Sequence, residues 1–178
     1  MGYIRNAFPT LLLGAALLLP PPQALAEPKA PSEEESADAS FARSFLGKSY
    51  DDELDIEGWI DLGGGLVSPP IYVRQYLRED DGTYLVLTSR EVTQATAAAP
   101  ASYIVADALV VKPQKDLEFS IACVLAGDDP TLKYIGEAKG SEDKEWWTDV
   151  RRAWEISIET GQIVSVKPKG IRCTNPGW

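Results

Sequence analysis

Ile71-Tyr72-Val73-Arg74-Gln75-Tyr76-Leu77, then Asp81-Gly82, then Thr83-Tyr84-Leu85-Val86-Leu87-Thr88 is the stretch that decides the fold. Successive side chains of an extended chain point to opposite faces. Ile71, Val73 and Leu77 therefore share one face, and Tyr72, Arg74 and Tyr76 share the other. Asp-Gly supplies the left-handed backbone that a tight turn requires, so the stretch predicts a β-hairpin.

The pattern continues in both directions. Tyr103 to Val111 is a long apolar run suited to a central strand. Leu117, Phe119, Ile121 and Cys123 alternate with Glu118, Ser120 and Ala122, which predicts a half-buried strand with Cys123 on the core face. Gly127-Asp128-Asp129-Pro130 predicts a turn, and Leu132 to Ala138 a further strand. Trp154, Ile156 and Ile158 face inward against Glu155, Ser157 and Glu159. Thr160-Gly161 turns the chain back into Ile163 to Val166, a second hairpin.

Two short helices are expected. Phe41, Phe45 and Leu46 mark one. Ser141 caps the other, with Glu142, Asp143 and Glu145 in a first turn where acids complement the helix dipole, and that helix runs to about Val150. The connections are too short for repeated parallel crossovers. The expected fold is a single α+β domain, mainly antiparallel β-sheet with one or two short helices and one disulfide.

The N-terminus reads as a secretory signal peptide, residues 1–26. Arg5 is its charge, Leu11 to Leu19 its apolar core, and Ala24-Leu25-Ala26 its cleavage site after Pro20 to Pro22. A membrane-spanning helix needs about 20 apolar residues, and the prolines interrupt this run sooner; no second long apolar stretch follows, so no membrane span is expected after cleavage. Residues 27–40 read as a disordered acidic leader and 41–178 as a β-rich globular domain. The expected address is outside the cytoplasm, periplasmic or secreted.

The net charge of −10 becomes −11 once Arg5 is removed. Such a chain is repelled by phosphate backbones, so no nucleic acid partner is expected. The two cysteines, Cys123 and Cys173, are expected to pair in an oxidising compartment. Closing a loop of that length is worth about 4 kcal/mol in the chain-entropy account. No histidine is present anywhere. This excludes Ser-His-Asp and Cys-His nucleophile systems and histidine-containing zinc sites.

Other motifs are incomplete. Glu53 to Asp61 alternates oxygen ligands like a calcium loop, but it starts on Glu53 and has Gly64 where a bidentate glutamate belongs. The simpler reading is an acidic segment entering a strand with Ile56, Trp59 and Ile60 packed. Gly63-Gly64-Gly65 reads as a flexible connector, and Gly47-Lys48-Ser49 matches the end of a Walker phosphate-binding motif but has Ala42 where the partner glycine belongs. Ser141 and Lys144 fit a Ser-x-x-Lys nucleophile pattern without its companions, and helix capping accounts for Ser141 better. No catalytic residue, metal or cofactor is assigned.

Tyr72, Arg74, Tyr76, Trp146 and Trp147 form the candidate binding surface, because aromatics and arginine dominate binding hot spots. The competing reading is that these residues only pack along the sheet or under a helix. The expected function is a non-enzymatic binding or accessory protein of the cell envelope, with a protein or an envelope component as partner. The alternatives are a small histidine-free hydrolase using carboxylates or Ser141 with Lys144, and an acidic inhibitor of a basic extracellular enzyme.

Overall fold

The predicted hairpin lies at the centre of a five-stranded antiparallel sheet. The computed structural model describes residues 33–127 and 131–176. Strand β3 (Ile71–Arg78) pairs with β4 (Tyr84–Thr93). Strand β2 (Trp59–Ser68) lies outside β3, β5 (Ser102–Val111) lies outside β4, and the short β1 (Ser49–Tyr50) borders β5. At the turn, Gly82 has φ of 70°. The Asp81 carboxylate accepts the Thr83 N–H at 3.0 Å and pairs with Arg78 at 2.6 Å, which locks the tight connection.

The second sheet holds β6 (Glu118–Leu125), β7 (Tyr134–Ala138), β8 (Trp146–Trp147), β9 (Val150–Ile156), β10 (Ile163–Val166) and β11 (Ile171–Thr174). Its order is β10-β9-β7-β6-β11-β8. Only Thr148 and Asp149 separate β8 from β9, which stand four places apart in that order. The sheet must therefore curl round until its edge returns to β9. Inside the curl Cys123, Tyr134, Trp147, Val150, Ile171 and Cys173 form one buried cluster. The expected disulfide is present, joining Cys123 and Cys173, which face each other directly across β6 and β11.

The two sheets pack face to face. Ile71, Val73 and Val86 from the first meet Phe119, Ile135 and Ile156 from the second. Each such side chain contributes about 1.5–3 kcal/mol when fully buried. Polar ties flank this core: the Ile163 N–H donates to Asp107 Oδ2 at 2.7 Å, and Thr88 Oγ1 donates to the Gly161 carbonyl.

The other face of the first sheet is covered by helix α1 (Glu33–Arg43) and by residues 51–58, a strap running from β1 to β2. Phe45 and Ile56 pack there on Tyr76, Leu85, Leu87 and Val105, with Phe41 and Trp59 alongside. Phe41 stacks on Trp59 with ring centroids 5.4 Å apart.

Several expectations change. The mainly antiparallel sheet with a short helix is as expected, but the fold is more nearly all β than an α+β domain, with one helix among the described residues. The helix expected from Ser141 to Val150 is instead a turn leading into strand β8. Tertiary partners outweigh the acidic first turn: the Trp147 indole N–H donates to the Ser141 carbonyl at 3.2 Å, and Asn175 donates to the carbonyls of Ser141 and Lys144. Helix α1 begins at Glu33, so it takes in part of the segment read as a disordered leader, and the ordered chain starts before Phe41. A bulge between Ser120 and Cys123 breaks the expected alternation. Phe119 thus enters the core between the sheets while Cys123 enters the curl. Ile158 lies exposed beyond β9 rather than inward, and Ile60 is exposed rather than packed. The expected signal peptide, residues 27–32 of the leader and residues 128–130 of the expected turn lie outside the described residues. No helix among the described residues is long and apolar enough to cross a membrane.

Gly136 sits under the disulfide, and a Cβ there would lie 2.7 Å from the Cys173 sulfur and 3.1 Å from that of Cys123. Gly136→Ala is expected to cost about 1–3 kcal/mol as overpacking. The cost should fall sharply in a Cys123→Ala, Cys173→Ala background, where no sulfur meets the new methyl. Urea denaturation of the wild type and the three variants checks this, and an equal cost in both backgrounds would refute the contact. Burial, and then the Asp61 charge, push the Tyr76 phenol up to about 12. The native state therefore holds a proton that the unfolded chain releases near pH 10. The stability this provides is complete below pH 10 and is lost as pH rises from 10 through 12. Denaturation at pH 9 to 12 should show the decline, and Tyr76→Phe should make it shallower.

Candidate functional site

Helix α1 and the strap leave one end of the first sheet's outer face uncovered, and a cleft of about 500 Å³ lies there. Its floor is built by cross-strand register. Tyr50 on β1 stands opposite Tyr103 on β5, and Tyr72 on β3 stands opposite Leu66 on β2. The Tyr50 and Tyr103 rings stack at 5.3 Å, and Tyr72 meets Tyr103 edge-on at 5.1 Å. Tyr50 donates to Ser89 Oγ at 2.9 Å, which fixes its ring. Burial is the main cause that raises the phenol pKa of both Tyr50 and Tyr103, so these rings are neutral at physiological pH.

Arg74 lies beside the tyrosines and is held from two sides. Its Nε donates to Asp61 Oδ2 at 2.6 Å, and an Nη donates to the Asp52 carbonyl at 2.6 Å. The glycine run makes this possible. Gly63-Gly64-Gly65 is part of β2 rather than the flexible connector expected, and β2 bulges between Asp61 and Gly64. Gly63 adopts φ of 83°, and its N–H donates to Asp61 Oδ1 at 2.6 Å. A side chain on Gly64 would strike the Val73 carbonyl oxygen at 2.0 Å. The bulge folds Asp61 back onto Arg74, and glycine is what permits the bulge.

The walls are the strap, through Asp51 and Asp52, and the loop between β4 and β5, through Ala95, Pro100 and Ala101. That loop is closed by the Thr96 N–H donating to the Ala99 carbonyl at 2.8 Å. Asp51 and Asp52 are both exposed. The cleft thus combines flat aromatic surface, one oriented guanidinium and free carboxylates.

The five residues of the sequence-derived surface do not come together. Tyr72 and Arg74 line the cleft. Tyr76 points from the same strand face but is 1% exposed beneath the strap and helix. The strand face is thus packed at its Tyr76 end and open at its Tyr72 end. Trp146 and Trp147 belong to the second sheet. Trp147 is buried in the curl, and Trp146 carries the Arg172 guanidinium 4.1 Å above its ring. Tyr50, Tyr103 and Asp61 were missed by sequence reasoning. Tyr103 was absorbed into an apolar run, and Tyr50 lies on a two-residue strand that no periodicity reveals. Asp61 ends the segment compared with a calcium loop, but both of its oxygens are taken by Gly63 and Arg74. Ser141 and Lys144 lie far along the chain in the turn before β8, where the Lys144 N–H donates to the Ser141 carbonyl at 3.4 Å.

No family model matches the chain, and no curated protein or solved structure is significantly similar to it.

Proposed function

We propose that the chain is an exported, non-enzymatic binding protein of the cell envelope, and that its recognition site is the tyrosine cleft. The observation that carries this reading is the open cluster of Tyr50, Tyr72 and Tyr103 beside Arg74. Tyrosine and arginine supply most of the energy in typical recognition sites. Here they are pre-set: Ser89 holds one ring and Asp61 holds the guanidinium, so little ordering entropy remains to be lost on binding.

Binding fits the chemistry better than catalysis. Asp61, the least exposed carboxylate of the site, has both oxygens engaged and so is poorly placed as a proton donor or nucleophile. The chain has no histidine to activate a hydroxyl. The signal-peptide pattern of residues 1–26 and the disulfide support an extracytoplasmic address, periplasmic or secreted.

The test is retention of solubilised envelope material on the immobilised protein. Wild type is expected to retain at least one envelope component. A Tyr72→Ala, Tyr103→Ala variant with an unchanged far-ultraviolet spectrum and intact disulfide should lose about tenfold or more of it. Equal retention by both proteins, or none by wild type, would overturn the assignment of the cleft.

A further inference from the structure

We infer that the occupant of the cleft is a basic polypeptide segment in extended conformation, which adds as a new strand along β2 and sends cationic side chains into the near end of the cleft, over Tyr72 and toward Asp51 and Asp52. The inference rests on the binding reading above and names the class of partner.

The first observation is the edge. Strand β2 is the outermost strand of its sheet, ten residues long, and no described strand borders its outer side. The other outermost strands are short: β1 and β8 have two residues each and β10 has four. Proteins protect long edges with lysine, proline, bulges or brevity, because unpaired N–H and C=O groups recruit other chains. Strand β2 contains no lysine, arginine or proline, and between its two bulges residues 64–66, where the cleft meets the edge, keep continuous register with β3. It instead exposes Ile60, Leu62 and Leu66, by 40%, 43% and 46%. Leu66 lies beside Tyr72 on the cleft side, and the space next to Gly65 is open. An extended peptide could thus pair its backbone with β2 and send alternate side chains toward the cleft.

The second observation is charge. Asp51, Asp52 and Glu53 are exposed along the strap beside the cleft. Arg74, the one cation of the cleft floor among the described residues, is committed to Asp61 and the Asp52 carbonyl. The local balance therefore selects a positive ligand. Tyrosine faces also attract ammonium and guanidinium groups. The net charge of −10 steers basic partners at a distance. A saccharide would use the aromatic faces but gain nothing from the carboxylates' charge or from the open strand edge.

The experiment pans a displayed library of random nine-residue peptides against the disulfide-bonded protein. Enriched peptides are expected to carry Lys or Arg at alternate positions. Their affinity should fall about tenfold with Asp51→Asn, Asp52→Asn and should weaken as salt rises. It should vanish with Tyr72→Ala, Tyr103→Ala. N-methylation of alternate backbone amides, which keeps every charge, should abolish binding. No enrichment, enrichment of peptides without basic residues, or indifference to N-methylation would each overturn the inference. Fragments of envelope glycan are tested in parallel. A glycan bound by wild type and lost in the tyrosine variant would overturn the peptide as occupant while leaving the cleft as a binding site.

Discussion

The reach of residues 51–58 constrains everything on the outer face of the first sheet. The strap leaves β1 at one edge and must enter β2 at the other, past β5, β4 and β3. Neighbouring strands lie about 4.8 Å apart, so the crossing is about 19 Å. Eight residues span at most about 29 Å. The strap can cross once, nearly directly, and cannot wander to cover the whole face. It passes over the Tyr76 end, where Ile56 and Phe45 complete a buried cluster. The Tyr72 end is left open, and the cleft is that uncovered remainder.

What allows one end to stay open is the support below it. The opposite face of the same strands is sealed by the second sheet through Ile71, Val73 and Val86. That sheet is braced in turn by its own curl, in which Trp147 and Val150 close over the disulfide and Gly136. The tyrosines therefore stand on a floor whose rigidity does not depend on a ligand. Rigid strands position side chains more sharply than loops do, and here Tyr50, Tyr72, Arg74 and Tyr103 all lie on strands.

Much of this fold can be read from the chain before its structure. The alternation around Asp81-Gly82 and Thr160-Gly161 identifies both hairpins, since strand period and turn chemistry are local properties. The bulges at Ser120–Cys123 and Asp61–Gly64 cannot be read that way, because a bulge is set by the partner strand. The segment after Ser141 has the local marks of a helix start, yet Asn175 and Trp147 hold it as a turn from 34 and 6 positions away. The site follows the same division. Tyr72 and Arg74 were visible as one strand face, whereas the fate of Tyr76 on that face depended on where the strap crosses. Tyr50 joined them only through its pairing with β5, across a stretch of chain that no local pattern connects.

The glycine run links the fold to the proposed site. Elsewhere in a strand, three successive glycines would weaken pairing and offer nothing to pack. Here the run produces the bulge that turns Asp61 onto Arg74, and it leaves the β2 edge free of side chains where the cleft meets it. Occupying Arg74 internally has a consequence for selectivity. A free guanidinium in the cleft would attract anions, whereas a guanidinium already paired leaves Asp51 and Asp52 to set the sign of the site. The internal pair rigidifies the floor and, under the reading proposed above, removes a positive charge that would favour anions, so that specificity would come from a repulsive element as well as an attractive one.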